Sequence, residues 1–240
     1  MGCASNQNQH GFTLVEISIV MIIIGLLIGG TFGGMKLIEN MQVNRTVQDL
    51  KAIESAALTF KDAYGRLPGD MPNTAARLPN CTVAPCATGG NGNRIYDTVS
   101  WNEVQTIGME KFTLWSHLQA ADLLSMGTKN TTDLNFGEGQ PEAPIGGGYR
   151  VTRYNGAWWA AGSRPVREAL TTISVDSSAA IGASPSQTKC DLLMQIDTKM
   201  DDGVPLEGIF QGGGCHTVIT NTAPYDITRL GVGMYDLKGF

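Results

Sequence analysis

One carboxyl group stands alone in the first part of this 240-residue chain. Between His10 and Lys36 the only ionisable side chain is Glu16, and Ile17–Met35 has none. A carboxyl group in an apolar run either snorkels to an interface or meets an opposite charge. Pairing is the stronger reading, because a carboxylate left in an apolar medium is costly unless something neutralises it.

Other residues that could do chemistry are sparse. The four cysteines beyond Cys3 are Cys81, Cys86, Cys190 and Cys215. An exported body makes disulfides the natural use. Local pairing, Cys81 with Cys86 and Cys190 with Cys215, is preferred among three connectivities. Zinc is the rival, but no second matching pair of cysteines exists and only His117 and His216 remain as imidazole partners. No redox C-x-x-C is present.

Asp197, Asp201 and Asp202, just before Gly203, form an acidic cluster that could take Ca²⁺, although EF-hand spacing is absent. A solvated helix end explains the cluster more simply. Asp70, Asn91, Asn93 and Asp97 could also offer oxygens to Ca²⁺, with turn formation as the commoner use of such residues. No cofactor is required by any of these groups. Gly89–Asn93 lacks the preceding strand and following Gly-Lys-Ser/Thr of a phosphate loop. His117 suits a packed or surface position better than a ligand's. No nucleophile elbow, H-E-x-x-H or triad order is present, so the chain is expected not to be an enzyme.

The element that must position Glu16 is the hydrophobic run itself. Phe12–Met35 is long enough to cross a bilayer as a helix, which takes about 20 residues. Its Phe, Leu, Val and Ile side chains favour insertion by about 4–8 kcal/mol, against about 2.5–3.5 kcal/mol for one buried charge. Insertion therefore tolerates Glu16. A cleaved secretory signal would need a shorter run followed by an A-x-A-like site. Here Gly29-Gly30-Thr31-Phe32-Gly33-Gly34 follows instead. Gly25, Gly29, Gly30, Gly33 and Gly34 would serve close helix–helix packing or local unwinding.

Residues His10-Gly11-Phe12-Thr13-Leu14-Val15-Glu16-Ile17-Ser18-Ile19-Val20 resemble the N-terminus of type IV pilins and of the related pseudopilins of type II secretion. The resemblance implies that a prepilin peptidase cuts between Gly11 and Phe12 and that Phe12 becomes N-methylated. It implies that Glu16 pairs with the Phe12 amine of a neighbouring subunit. It also implies a single-pass precursor in the bacterial inner membrane with its head in the periplasm, then a pilus or a periplasmic pseudopilus. Cys3 would leave with the leader. Charge alone points the other way on orientation: Met1–Gly11 has no Lys or Arg, and the first basic residues, Lys36 and Arg45, follow the span.

Beyond the span, Val43, Val47, Leu50, Ile53, Ala57, Phe60 and Tyr64 keep helical spacing. Asn44, Arg45, Asp49, Lys51, Glu54 and Lys61 are expected on the opposite face. Gly65 and Pro68 end the run, which predicts one helix over Phe12–Tyr64. A second helix is predicted over Glu103–Leu124, with Phe112, Trp115, Leu118, Ala121 and Leu124 inward. Tyr149–Tyr154 and Ala157–Ala161 flank Asn155-Gly156, a hairpin signal. Ala169–Val175 is expected as a third strand, Gln187–Met200 as a helix with Leu192, Leu193 and Ile196 inward, and Val204–Gln211 and Val218–Thr220 as short strands. The Leu67–Asn73 and Gly89–Asn93 segments are similar to loops that follow the helix in a subset of pilin-like proteins. The Cys190–Cys215 pairing resembles the disulfide that bounds the C-terminal region of many pilins.

The fold expected is α+β and pilin-like: a leader at 1–11, a membrane-spanning helix at 12–35, its amphipathic continuation at 36–64, and a head at 65–240 with an antiparallel sheet. A net charge of −5 and only 16% charged residues argue against a dedicated nucleic-acid binder. The partners implied are further copies or related subunits in a filament, prepilin peptidase, the pilus or type II secretion assembly machinery, and the inner membrane. The alternatives are a type II secretion pseudopilin, a membrane-anchored binding protein that never assembles, and an anchored hydrolase.

Overall fold

Helix α1, Leu14–Tyr64, runs 51 residues without a break in a computed structural model. That model describes residues 12–96, 110–126, 133, 135–154, 170–176, 188–216 and 223–237. The chain divides into two compact units, 1–41 and 42–240. The helix starts at Leu14 rather than Phe12, because Thr13 caps it.

In the first unit the side chains from Phe12 to Ile38 are all exposed. Among the described residues, α1 is the one helix long and apolar enough to cross a membrane. Its two hydroxyls in this stretch are satisfied internally: Ser18 Oγ donates to the Leu14 carbonyl and Thr31 Oγ1 to the Leu27 carbonyl, both at 2.8 Å. A lipid-facing helix needs that, since hydrocarbon offers no partner for a free polar group. The helix continues through Gly25–Gly34 with open space around each glycine. Exposed apolar side chains carry on past Met35 to Leu37, Ile38 and Met41.

In the second unit α1 turns amphipathic. Val43, Leu50, Ile53, Ala57 and Phe60 are buried, and Val47 and Tyr64 are half-buried. The expected apolar stripe therefore faces the core. Asp49 and Glu54 depart from the expected polar face. Asp49 is buried and Glu54 half-buried, because each meets a phenol from the sheet. Tyr149 Oη donates to Asp49 Oδ2 at 3.2 Å, and Tyr235 Oη donates to a carboxylate oxygen of Glu54. Burial pushes both phenols up, so they stay protonated donors. Gly65, at φ +66°, ends the helix and donates to the Lys61 carbonyl at 2.8 Å.

The head contains α2 (Thr74–Arg77), a 3₁₀ turn (Cys86–Thr88), α3 (Glu110–Ala120), β1 (Gly148–Tyr154), β2 (Leu170–Asp176), β3 (Thr188–Lys189), α4 (Cys190–Met200), β4 (Phe210–Gly213) and β5 (Leu230–Asp236). The strands form an antiparallel sheet in the order β1-β2-β5-β3, with β4 pairing β5 as well. The class is α+β, as the sequence implied.

Several expectations shift in detail. Helix α3 stops at Ala120 instead of Leu124. Asp122 takes a positive φ of 56°, and Leu123 N–H bonds back to the Leu118 carbonyl at 3.0 Å, closing the last turn. No glycine marks that stop. Phe112, Trp115, Leu118 and Leu124 are buried, and Ala121 is half-buried. Residues 97–109 lie outside the described set. So do Ala157–Ala161 and Asn155-Gly156, hence the expected hairpin. The described partner of β1 is β2, with Gly148 opposite Asp176 and Tyr154 opposite Leu170. Val204–Gly208 is turn rather than strand. Gly208, at φ +79°, packs so closely on the Asp201 carboxylate that a Cβ would stand 1.5 Å from it. Helix α4 begins at Cys190, because Thr188 and Lys189 pair with β5. Val218–Thr220 lies outside the described residues.

Strand β5 is the main element that sequence reasoning missed. It pairs with β2, β3 and β4, so it organises the sheet. Its glycines hide it, since glycine weakens a strand. Packing demands them: a Cβ on Gly231 would lie 2.4 Å from Cys215 Sγ and 3.2 Å from Cys190 Sγ. One on Gly233 would lie 2.7 Å from the Phe210 ring and 2.9 Å from Leu193 of α4.

Candidate functional site

The N-terminal site is built by the start of α1. Thr13 is the N-cap and Glu16 the third helical residue. Glu16 N–H donates to Thr13 Oγ1 at 3.2 Å, while Thr13 N–H and Thr13 Oγ1 both donate to Glu16 Oε2 at 2.8 Å. This reciprocal arrangement is a capping box, which satisfies donors that a helix start leaves open. It also supplies the carboxylate with donors where hydrocarbon has none. Phe12, immediately before it, is 84% exposed. The signal was present in the sequence: Thr-x-x-Glu before an apolar run is the capping-box pattern. Gly11 lies outside the described residues.

The head holds two disulfides, Cys81–Cys86 with Cα atoms 5.2 Å apart and Cys190–Cys215 with Cα atoms 5.5 Å apart. All four residues are buried. His117 lies near Cys81 and Cys86, but those sulfurs are bonded to each other and offer no thiolate. Both imidazole nitrogens are used: Nδ1 accepts from Gly69 N–H at 2.8 Å and Nε2 donates to the Cys86 carbonyl at 3.1 Å. His117 is thus a packed core histidine. His216 is buried too, and its carbonyl accepts from Arg229 at 2.8 Å.

Asp70 is fully buried. Its Oδ1 accepts from Gly92 N–H at 2.7 Å and Asn93 N–H at 3.1 Å, and its Oδ2 from Arg94 N–H at 2.7 Å. Asn91 Oδ1 and Asn93 Oδ1 accept from backbone N–H two residues on, at 2.9 and 2.8 Å. These oxygens therefore shape the loop rather than wait for a cation. Asp97 lies outside the described residues.

The Asp197, Asp201 and Asp202 carboxylates come within 4.8 Å of one another. Asp197 is buried and the other two are exposed. Each already accepts a bond: Asp197 from Tyr225 Oη at 2.8 Å, Asp201 from Ile209 N–H, and Asp202 from Val204 N–H at 2.8 Å. The cluster builds the turn that follows α4.

Two buried groups make head stability depend on pH in opposite senses. Burial lowers His117 to about 4. The unfolded histidine takes a proton near pH 6.5 that the folded one refuses. Its contribution is therefore lost as pH falls from 6.5 to 4, by about 3 kcal/mol. Burial raises Asp197 to about 7, with the Tyr225 hydroxyl opposing. The folded carboxyl keeps a proton that the unfolded one has released, so its contribution is lost as pH rises from about 4 to 7, by roughly 4 kcal/mol. Between pH 4 and 6.5 the two slopes oppose each other. Asp197→Asn should expose the histidine slope, making the urea midpoint fall towards acid. His117→Gln should make it rise there. Identical profiles for both variants would refute this balance.

The description "prokaryotic N-terminal methylation motif" matches residues 6–32. The match covers Gly11-Phe12, Glu16 and most of the exposed apolar run, and none of the head. No curated protein and no solved structure matches the chain. A capped carboxylate at the start of an exposed apolar helix therefore lies inside that motif, and residues 6–32 carry the N-terminal signature of type IV pilins and pseudopilins.

Proposed function

We propose that this chain is a structural subunit of a type IV pilus-like filament. Prepilin peptidase cuts between Gly11 and Phe12, and Phe12 is then N-methylated. The first half of α1 holds the precursor in the inner membrane, with the head on the periplasmic side. After processing, the same surface packs against other copies to form the filament core. Apolar burial drives that packing, and Glu16 meets the Phe12 ammonium of a neighbour. The heads make the outer surface.

The observation that carries this reading is the methylation motif on a helix whose apolar side chains are exposed from Phe12 to Ile38. Monomeric soluble proteins rarely leave so long an apolar surface open. The reading makes the chain a substrate of a processing enzyme and assigns it no catalysis. A type II secretion pseudopilus shares the motif, and the length of the assembled fibre separates the two.

Mass spectrometry of the mature N-terminus is the deciding experiment. The expected chain starts at Phe12 and carries one added methyl group. A membrane-resident chain that keeps its leader intact would replace the filament reading with a tethered, non-assembling protein.

A further inference from the structure

We propose that Asn91-Gly92 and Asp202-Gly203 are latent sites of backbone self-modification, and that the buried carboxylates of Asp70 and Asp197 hold them shut. The inference concerns the head alone and stands whether or not the chain assembles. Asn or Asp followed by Gly is chemically labile, because glycine has no side chain to keep its nitrogen away from the preceding one. The glycine nitrogen attacks Cγ of the residue before it, and the new C–N bond closes a succinimide ring. Ammonia leaves from Asn, or water from Asp, and carries off the amide proton. Water then opens the ring to aspartate or isoaspartate.

The described residues contain these two pairs, and the fold holds both in the same way. Gly92 N–H donates to Asp70 Oδ1 at 2.7 Å and to the Asp70 carbonyl at 2.9 Å. Gly203 N–H donates to Asp197 Oδ1 at 3.4 Å. Asp70 and Asp197 are both fully buried. Ring closure needs the glycine nitrogen to shed its proton and turn its lone pair onto Cγ. A carboxylate is far too weak a base to take an amide proton, and its negative charge opposes an amide anion beside it. The bond therefore restrains the nucleophile. The carbon it would attack is restrained too, since Asn91 Oδ1 accepts from Asn93 N–H at 2.9 Å and Asp202 Oδ1 from Val204 N–H at 2.8 Å.

The glycines themselves are fixed by the turns, at φ +77° and +74°, where a side chain would be strained. The labile pairs are thus kept and guarded. Failure of the guard would be costly at residue 91. A new acid there would stand beside Asp70 and beside Glu110, whose Oε1 accepts from Asn91 N–H at 3.0 Å.

The test incubates the full chain in detergent and mildly alkaline buffer, below its melting temperature, beside the same chain unfolded in guanidinium with its disulfides reduced. Isoaspartate is read site by site, by peptide mass spectrometry and by enzymatic methylation of isoaspartyl groups. Asn91 should react at least about tenfold more slowly in the folded chain, the factor that one hydrogen bond to a charged group supplies. Asp202, held by the longer bond, should show a smaller ratio. Asp70→Ala should release Asn91 and leave Asp202 as it was, and Asp197→Ala should do the reverse. If Asp70→Ala does not fold, Asp70→Asn, which keeps the shape and loses the charge, takes its place with the same expected direction. Equal rates at Asn91 in the folded and unfolded chains would overturn the inference. So would a folded Asp70 variant that leaves Asn91 protected, or variants that each speed both sites alike, which would trace protection to foldedness in general.

Discussion

Cells whose only copy is Glu16→Leu should accumulate processed subunit in the membrane and make almost no filament. Insertion itself should improve slightly, because Glu16 lies in the first turn of the helix, where a charge costs less than the about 2.5–3.5 kcal/mol of a central one. Cleavage should continue, since the Gly11-Phe12 pair is untouched. Assembly should fail for a separate reason. In the proposed filament, bringing copies together would bury the Phe12 ammonium in an apolar bundle, and without Glu16 it would have no counter-charge. Breaking one side of a buried ion pair costs about 3–5 kcal/mol. Each 1.4 kcal/mol is a factor of ten, so the loss exceeds about a hundredfold per contact. The measurement is filament yield by shearing and electron microscopy, with processed subunit quantified in the same cells. Wild-type yield from this variant would remove Glu16 from assembly.

The second large effect belongs to the head. Replacing both Cys190 and Cys215 by Ala should destabilise it by about 3–4 kcal/mol, from loop closure over a sequence separation of 25. For a unit of this size, that lowers the melting temperature by roughly 10 °C. The location sharpens the prediction. Both sulfurs press on the backbone of β5 at Gly231, and the bond ties the start of α4 to the chain that follows β4. Its loss loosens the strand on which the sheet is organised. Removing Cys81 and Cys86 instead should cost less, about 2 kcal/mol, because that loop has a separation of only 5. Calorimetry on the two double variants compares them directly. Equal shifts, or a larger one for Cys81 and Cys86, would contradict the account.

The reach of the sequence differed from one part of the molecule to another. The N-terminal motif was legible almost entirely. A lone carboxyl, a long uncharged run and the Gly11-Phe12 pair are local patterns, and the structure added the capping box that Thr13 and Glu16 already spelled out. The apolar stripe of α1 was legible for the same reason, since period 3.6 needs only neighbours in the chain.

The head was legible in class and less so in detail. Strand β2 and helix α4 came through in place, give or take their ends. Strand β5 did not, although it holds the sheet together. Its alternating glycines look like a loop until Leu193, Phe210 and two sulfurs are seen pressing on them. Asp49 and Glu54 likewise count as surface residues until Tyr149 and Tyr235 arrive from the sheet. Asp70 read as a turn residue with Ca²⁺ binding as the alternative, and only the fold shows the three backbone N–H groups that close around it.

Sequence alone therefore determined the long apolar helix, its single acid and the α+β class, because each depends on the order of residues along one stretch of chain. Tertiary structure decided which polar groups turn inward and which glycines form a strand. Those outcomes depend on contacts between residues up to 181 positions apart, as Glu54 and Tyr235 are, and no local period records them.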